Sequence, residues 1–346
     1  MAAAPLTAEQ LVHHPEFKHI SWPLQPAAKG KVSVAAGRGG PFSIAYEIHG
    51  KGDRRLVWIM GLGGLKTTWQ RQTKDFAHTK GDIYTSLVFD NRGIGESDKP
   101  FMRYSTSEMA KDTVELLDHV GWTDNRRLHV IGISMGGMIA QELALLIPDR
   151  ICSLSLVSTA SGLFNTVGYF ENLRNRINLF IPRAIDVQLN NVKRNMYTAA
   201  WLEKPDDTEY VVEPFPTNGD RFAAFEIAKR SNAAAFSRTG FLAQAIAAGW
   251  HYKSPAQLKS ISEKLGKKRI MIVHGGSDRM IPFPHAKVLQ LGLEGWDSLE
   301  AAKETEAEIE THFPVDQSHV IPIEMRATFM EWVEGLVEKT EKLDMT

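Results

Sequence analysis

The chain has almost no cysteine: 346 residues contain one, Cys152. An intrachain disulfide is therefore excluded. Cys152 lies in the apolar run Ile151–Val157 and reads as a buried strand residue, with a catalytic thiol as the second reading. No apolar run reaches the roughly 18 residues of a transmembrane helix, so no membrane span is expected. Net charge is also missing. Lys+Arg 40 against Asp+Glu 41 leaves −1, which gives no electrostatic case for nucleic acid or an anionic membrane as partner. The start, Met1-Ala2-Ala3-Ala4-Pro5, lacks the basic region and apolar core of a secretory signal, and no Asn-x-Ser/Thr acceptor occurs. A cytoplasmic protein is the expectation. His13, His14 and His19 lie near one another, but no carboxylate or cysteine completes a ligand set, so no metal is expected.

What is present is a pattern of short apolar runs separated by helical segments. After paired β-like stretches at Val32–Val34 and Phe42–Ile48 come runs at Leu56–Met60, Ser86–Asp90, Leu128–Ile133, Ser153–Val157 and Arg269–His274. Between them, Ser107–Val120 carries Met109, Val114, Leu116, Leu117 and Val120 at helical spacing. Strands alternating with helices imply an α/β fold with a doubly wound, mostly parallel sheet. The alternation stops between about Ser161 and Ile261. Phe170, Leu173, Ile177 and Phe180, then Phe222–Lys229 and Gly240–Trp250, read as helices there. Extra helical core is one reading. A cap over the C-terminal edge of the sheet is the favoured one. The expected organisation is an N-terminal extension over 1–30, a core over 31–160 and 262–346, and an inserted helical cap over 161–261. The acidic stretch Glu300–Glu310 reads as a solvated face, and Glu324–Lys339 as a terminal helix.

The most informative segment is Val130-Ile131-Gly132-Ile133-Ser134-Met135-Gly136-Gly137. Gly132-x-Ser134-x-Gly136 follows a β-like run and precedes a helical pattern, the context in which this spacing means a sharp turn that exposes a serine nucleophile. The flanking glycines permit strand and helix to approach closely, and the helix N-terminus favours developing negative charge. An inert serine in a tight turn is the bland alternative.

An acyl-transfer site needs a nucleophile, a base, a group that orients the base, and donors for the oxyanion. Ser134 is the candidate nucleophile, and the backbone N–H of Met135 one oxyanion donor. The loop Met60-Gly61-Leu62-Gly63-Gly64 offers the second, the N–H of Leu62. Asp278, at the end of Ile270–Val273 and its glycine turn, is the candidate acid. A turn aspartate capping a helix is its alternative. His319, before the terminal helix, is the candidate base, and His312 is its rival. The order Ser134, Asp278, His319 is that of one class of hydrolases.

With these residues together, the chain resembles the α/β-hydrolase superfamily of the serine-nucleophile type with a helical cap. The resemblance covers roughly residues 32–338. It rests on Gly61–Gly64, Gly132–Gly137, Gly276-Ser277-Asp278, His319, and Asp90–Asp98, which is similar to the family's D-x-R-G-x-G-x-S turn, a structural element. Three departures stand out. Met60 occupies the place where many relatives have histidine before the oxyanion glycine. Asp316-Gln317-Ser318 precedes His319 where relatives carry Gly-x-Gly. The interval from Asp278 to His319 is lengthened by the Glu-rich stretch.

The resemblance implies hydrolysis of an ester, thioester or lactone of a small to medium apolar acyl substrate through an acyl-enzyme. No cofactor is implied. Phe241 and Trp250 of the cap are expected to line the substrate side. Serine at the turn argues against relatives that need aspartate there. Acyl transfer, carbon–carbon hydrolysis and perhydrolysis on the same triad are the rival enzyme readings. A non-catalytic ligand-binding protein on this scaffold is the rival from another class. Oligomeric state is not readable.

Overall fold

The seven expected β runs all become strands of one sheet, and an eighth strand joins them. They are β1 (Ala28–Val34), β2 (Phe42–Gly50), β3 (Arg54–Ile59), β4 (Tyr84–Phe89), β5 (Leu128–Ile133), β6 (Ile151–Val157), β7 (Ile270–Val273) and β8 (Glu310–His312). The structure is a computed structural model that describes residues 5–164, 166, 184–209, 212–298, 300 and 305–344. The sheet order is β1-β2-β4-β3-β5-β6-β7-β8. β1 and β2, and β2 and β4, pair antiparallel, and every later pair is parallel. Parallel strands are covered on both faces, which explains their unbroken apolar character. Every residue of β4, β5, β6 and β7 is buried.

The helices supply that cover. Leu116 of Thr106–His119, Ile139 of Met135–Leu146, Leu258 of Pro255–Leu265 and Leu289 of Pro284–Glu294 join one buried cluster with Val57, Val130 and Leu154. A second cluster holds Phe329, Val333, Leu336 and Val337 of Arg326–Lys342 against Trp58, Val88 and Met271. These terminal-helix positions fall at the three- and four-residue spacing of one helical face. Local sequence starts the helices. Ser105 accepts from Glu108 N at 3.1 Å, and Ser254 with Gln257 forms a capping box.

Register then decides where the loops gather. Ile59 pairs with Gly132, Ile133 with Val157, Val157 with Val273, and Val273 with His312. The segments that follow β3, β5, β7 and β8 therefore leave from one edge. That edge receives Leu62, Ser134, Asp278 and His319.

The helical insertion has a defined neck. Gly162 bridges Tyr252, and Lys253 N donates to Ser161 O at 2.7 Å. The chain rejoins the core at Pro255–Leu265, whose Leu258, Ile261 and Leu265 lie in the main cluster. The expected boundary at 261 lies inside this helix. Phe170, Leu173, Ile177 and Phe180 lie outside the described residues. The other expected helices form, as Asn218–Ser231 and Arg238–Gly249.

The N-terminal segment is not peripheral. Leu11 and Ile20 are buried with Leu189, Phe215, Ala223, Ala224 and Ile227 of the insertion. Glu16 is fully buried and bonds Arg221 Nη2 at 2.9 Å, while Arg221 Nε lies 2.7 Å from Asp206 Oδ2. Leu6, Ala8, Leu11, Phe17 and Ile20 pack with the insertion, and β1 begins at Ala28. A six-residue helix, Ala8–His13, is too short to show a periodic apolar face, and the contacts span some 200 positions.

Candidate active site

β5 ends at Ile133, and Ser134 turns the chain into the helix Met135–Leu146 at φ 56°, ψ −123°. A non-glycine residue in that region stores on the order of 1–3 kcal/mol, and the surroundings must hold it there. They do so with hydrogen bonds. Ser134 N donates to Val157 O at 2.9 Å, and Ser134 O accepts from Gly137 N at 3.0 Å and from Thr159 Oγ1 at 2.7 Å. The glycines are required by space. A Cβ on Gly132 would lie 2.3 Å from Gly136 O, and one on Gly136 would lie 2.1 Å from Ile59 O. The turn is a sharp strand-to-helix elbow that leaves Ser134 partly exposed.

After β3, Gly64 N donates to Gly61 O at 3.2 Å, closing a turn with Gly63 at φ +66°. Glycine at that third position is what such a turn needs. The loop lies against the elbow: a Cβ on Gly61 would stand 3.5 Å from Ser134 Oγ. Among the described residues, neither Leu62 N nor Met135 N donates to a protein acceptor.

After β7, Asp278 is buried. Its Oδ1 accepts from Met280 N at 2.8 Å and Ile281 N at 3.0 Å, and its Oδ2 lies 2.7 Å from His319 Nδ1. A carboxylate facing Nδ1 selects the tautomer with the proton there and leaves the Nε2 lone pair free. His319 is held in turn by the insertion, for His319 N and Val320 N donate to Met196 O at 3.1 and 3.2 Å. Ser318 N donates to Glu324 Oε2 at 2.8 Å, and Glu324 Oε1 takes Thr198 N at 2.6 Å. Those contacts replace the missing Gly-x-Gly before the histidine. Among the described residues Ser134 Oγ makes no hydrogen bond, His319 included, so the candidate acid Asp278 and candidate base His319 are joined and the serine stands apart. Such contacts commonly tighten only when substrate binds.

His312 is placed elsewhere. It sits on β8, stacked on Trp332 with centroids 4.1 Å apart, and lies 2.9 Å from Glu310. Phe241 is half-buried against the oxyanion loop: a Cβ on Gly63 would lie 2.9 Å from its ring. Trp250 is 76% exposed at the end of its helix, with Arg103 over its ring at 5.5 Å. The helix ends at Gly249, and the indole expected to line the substrate side stands exposed. Cys152 sits near the start of β6, away from the loop edge, and burial pushes its thiol up to about 11.

Sequence reasoning missed His274. It is fully buried, its Nε2 lies 2.7 Å from Ile281 O and 3.4 Å from Asp278 Oδ2, and burial lowers its pKa. It lies behind Asp278, and its place four residues before that residue was the available signal. Gln244 was missed too. It is the one amide in an apolar helical run, and a lone buried amide demands partners. Among the described residues no group of three or more His, Cys, Asp or Glu could hold a metal ion, and no helix is long and apolar enough to cross a membrane.

A family model for the alpha/beta hydrolase fold matches residues 54–289. The chain belongs to that family. Its Ser134 elbow and Asp278 fall inside the matched stretch. The chain is similar to 3-oxoadipate enol-lactonase 2 of Acinetobacter baylyi, 32% identical over 120 residues, 34% of this chain and 42% of that one. It is 28% identical over 260 residues to the dihydrolipoyllysine-residue acetyltransferase component of the acetoin cleaving system of Pseudomonas putida, covering 75% and 61% of the two chains. The chain thus spans between 42% and 61% of the length of the curated relatives it matches. A thermophilic esterase from Thermogutta terrifontis superposes with a TM-score of 0.68 at 18% identity, covering 91% of this chain and 99% of that one. That likeness bears on the alpha/beta hydrolase fold alone.

Proposed function

We propose that this alpha/beta hydrolase family member is a serine hydrolase that cleaves an ester, thioester or lactone of a small to medium apolar substrate. The observation that carries the reading is the 2.7 Å pair of His319 Nδ1 and Asp278 Oδ2 on the same sheet edge as the strained Ser134 elbow. Ser134 Oγ bonds to the substrate carbonyl carbon as its proton passes to His319 Nε2. The oxyanion takes the N–H groups of Leu62 and Met135, which have no protein acceptor among the described residues. Collapse breaks the bond to the leaving group, which takes the proton from His319. Water then repeats the sequence on the acyl-enzyme and frees the acid. Asp278 keeps the ring oriented and stabilises the imidazolium.

Phe241 beside Gly63 supports an apolar acyl pocket, and the helical insertion supports a cap above it. The enol-lactonase relative agrees with acyl chemistry on this scaffold. The match to an acetyltransferase component over 75% of this chain favours one second reading, transfer of the acyl group to an acceptor other than water.

A fluorophosphonate titration, followed by a panel of p-nitrophenyl esters of graded chain length with water or alcohol as acceptor, tests the proposal. Stoichiometric labelling at Ser134 and turnover of at least one ester are expected. Absence of labelling in folded protein overturns the mechanism. No metal or cofactor is called for, so dialysis against EDTA should leave turnover unchanged; a loss restored by zinc or manganese would count against the triad.

A further inference from the structure

The oxyanion loop contains three glycines in four residues, Gly61, Gly63 and Gly64 around Leu62. Such a segment is free to point its peptide groups in many directions. Its fixation comes from outside the core. Gly63 N donates to Gln244 Oε1 at 2.9 Å, and Gln244 Nε2 donates to Arg92 O at 2.8 Å. Gln244 is 0% exposed and belongs to the insertion helix Arg238–Gly249. Gly63 O takes Lys229 Nζ at 3.2 Å from the second insertion helix, Asn218–Ser231. Phe241, one turn before Gln244, lies against the same glycine. The insertion is itself tied down there: Gly95 N donates to Ala235 O at 2.7 Å, and Ile94 bridges Phe236.

The two peptide planes that flank Gly63 are thus each fixed by a side chain of the insertion. The Leu62 N–H belongs to the Gly61–Leu62 peptide, which Gly64 N holds through Gly61 O, so among the described residues it is the N–H of this plane, not its carbonyl, that has no partner. Its direction is then set by its fixed neighbours. We propose that Gln244, seconded by Lys229, is a positioning residue of the oxyanion hole that acts through Gly63 to aim the Leu62 N–H. This rests on the reading of Ser134 as nucleophile and Leu62 as donor. It assigns the helix Arg238–Gly249 a fixed place in the catalytic apparatus: a lid swinging at this helix would dismantle the hole it covers.

The test compares Gln244→Met with wild type, with Lys229→Met as a second variant that leaves the buried amide in place. Active sites are counted by fluorophosphonate titration, so that rates refer to folded molecules. Two inhibitors are used: an alkyl boronic acid, whose tetrahedral adduct places an oxygen in the hole, and the matching non-covalent ketone. Gln244→Met should lower kcat about 10–100-fold with KM within about 3-fold, since a misaimed donor is lost from the transition state only. Boronate affinity should fall with kcat while ketone affinity holds. Lys229→Met should shift the same two quantities by about 3–10-fold. Gln244→Glu adds a pH readout. A protonated carboxyl offers one acceptor and one donor as the amide does, so its rate relative to wild type should recover as pH falls.

Unchanged kcat and boronate affinity in titrated Gln244→Met overturn the inference, as does a loss confined to KM or to the titratable fraction. If Gln244→Met fails to accumulate, unchanged values in Lys229→Met overturn it. A wild type that neither labels nor turns over esters overturns the proposed function instead, and this assignment with it.

Discussion

Two buried polar assemblies sit side by side on this sheet, and they are built on opposite principles. In the turn Asp90–Asp98 the groups saturate one another. Asp90 Oδ1 accepts from Lys66 N at 2.7 Å, and its Oδ2 accepts from Glu96 N at 3.0 Å and Lys66 Nζ at 3.3 Å. Ser97 Oγ donates to Asp90 O and accepts from Ala45 N at 2.8 Å. The buried Arg92 guanidinium meets both oxygens of Asp112 at 2.6 Å. At the Ser134 edge Asp278 and the His319 backbone are bonded, while neighbouring groups are not. Among the described residues the Leu62 N–H, the Met135 N–H and the Ser134 hydroxyl have no partner. Buried polar groups are normally paired, so density of bonding marks stability and unengaged donors around a strained residue mark chemistry.

Removing the reactive atoms is the most severe way to separate the two assemblies. Ser134→Ala should lower turnover by at least about 10⁴-fold while leaving the thermal midpoint close to wild type, because the hydroxyl makes no hydrogen bond to lose. The paired measurement is ester turnover and calorimetry. Residual activity above a few per cent would show that the elbow is a structural turn like the other. The base sharpens the point. His319→Ala should cost about as much as Ser134→Ala, since the two act as a unit, and Asp278→Asn about 10⁴-fold. His312→Ala should change turnover little, because its ring is occupied by Trp332 and Glu310 on β8. The reverse order of His319 and His312 would relocate the base.

The saturated turn should fail in the other currency. Asp112→Ala strands the fully buried Arg92, and breaking such a pair costs about 3–5 kcal/mol. Urea unfolding should show that loss, while kcat per titrated site should fall less than in Gln244→Met, because Gln244 is anchored on the Arg92 backbone O and not on its guanidinium. A collapse of kcat with stability intact would place this turn in the catalytic apparatus.

The difference between the assemblies also explains what the sequence displayed. The elbow, the glycine loop, Asp278 and the strands declare themselves because each constraint acts within a few residues. A strained serine needs its neighbouring glycines, and a parallel strand needs an unbroken apolar run. The candidate base was legible only as a choice between His312 and His319, because the spacing around the Glu-rich stretch is unusual. The supports were not legible. Gln244 reaches Gly63 across 181 positions, and Glu16 reaches Arg221 across 205, and no local period records such a partner. Trp250 shows a related limit: an aromatic at the end of an apolar helix reads as lining, and its 76% exposure depends on where the helix ends.

The smallest expected effect concerns a second histidine that is as buried as His319. Both are 4% exposed. His319 faces a carboxylate, whereas His251 faces the Thr106 hydroxyl at 2.9 Å, has Lys253 nearby, and has a buried Nε2 with no partner among the described residues. Burial first, and Lys253 second, lower the His251 pKa to about 3 from 6.5. A proton is therefore bound more readily by the unfolded chain. Stability is complete above pH 6.5 and is lost progressively as pH falls towards 3, at up to about 1.4 kcal/mol per pH unit from this residue. Between pH 6.5 and 5 that amounts to about 2 kcal/mol. His129, His274 and His285 are also lowered by burial and add to the same slope. Replacing His251 with glutamine should make the slope of unfolding free energy against pH shallower by one proton's worth, leaving the others in place. It should leave the pH–rate profile of ester hydrolysis unmoved, because His251 lies at the neck of the insertion and contacts helix Thr106–His119 rather than Asp278. An unchanged stability slope would mean that His251 is already protonated in the folded chain at pH 5, drawn by Glu142 Oε1 at 3.7 Å, and that burial there resembles the carboxylate-facing case after all.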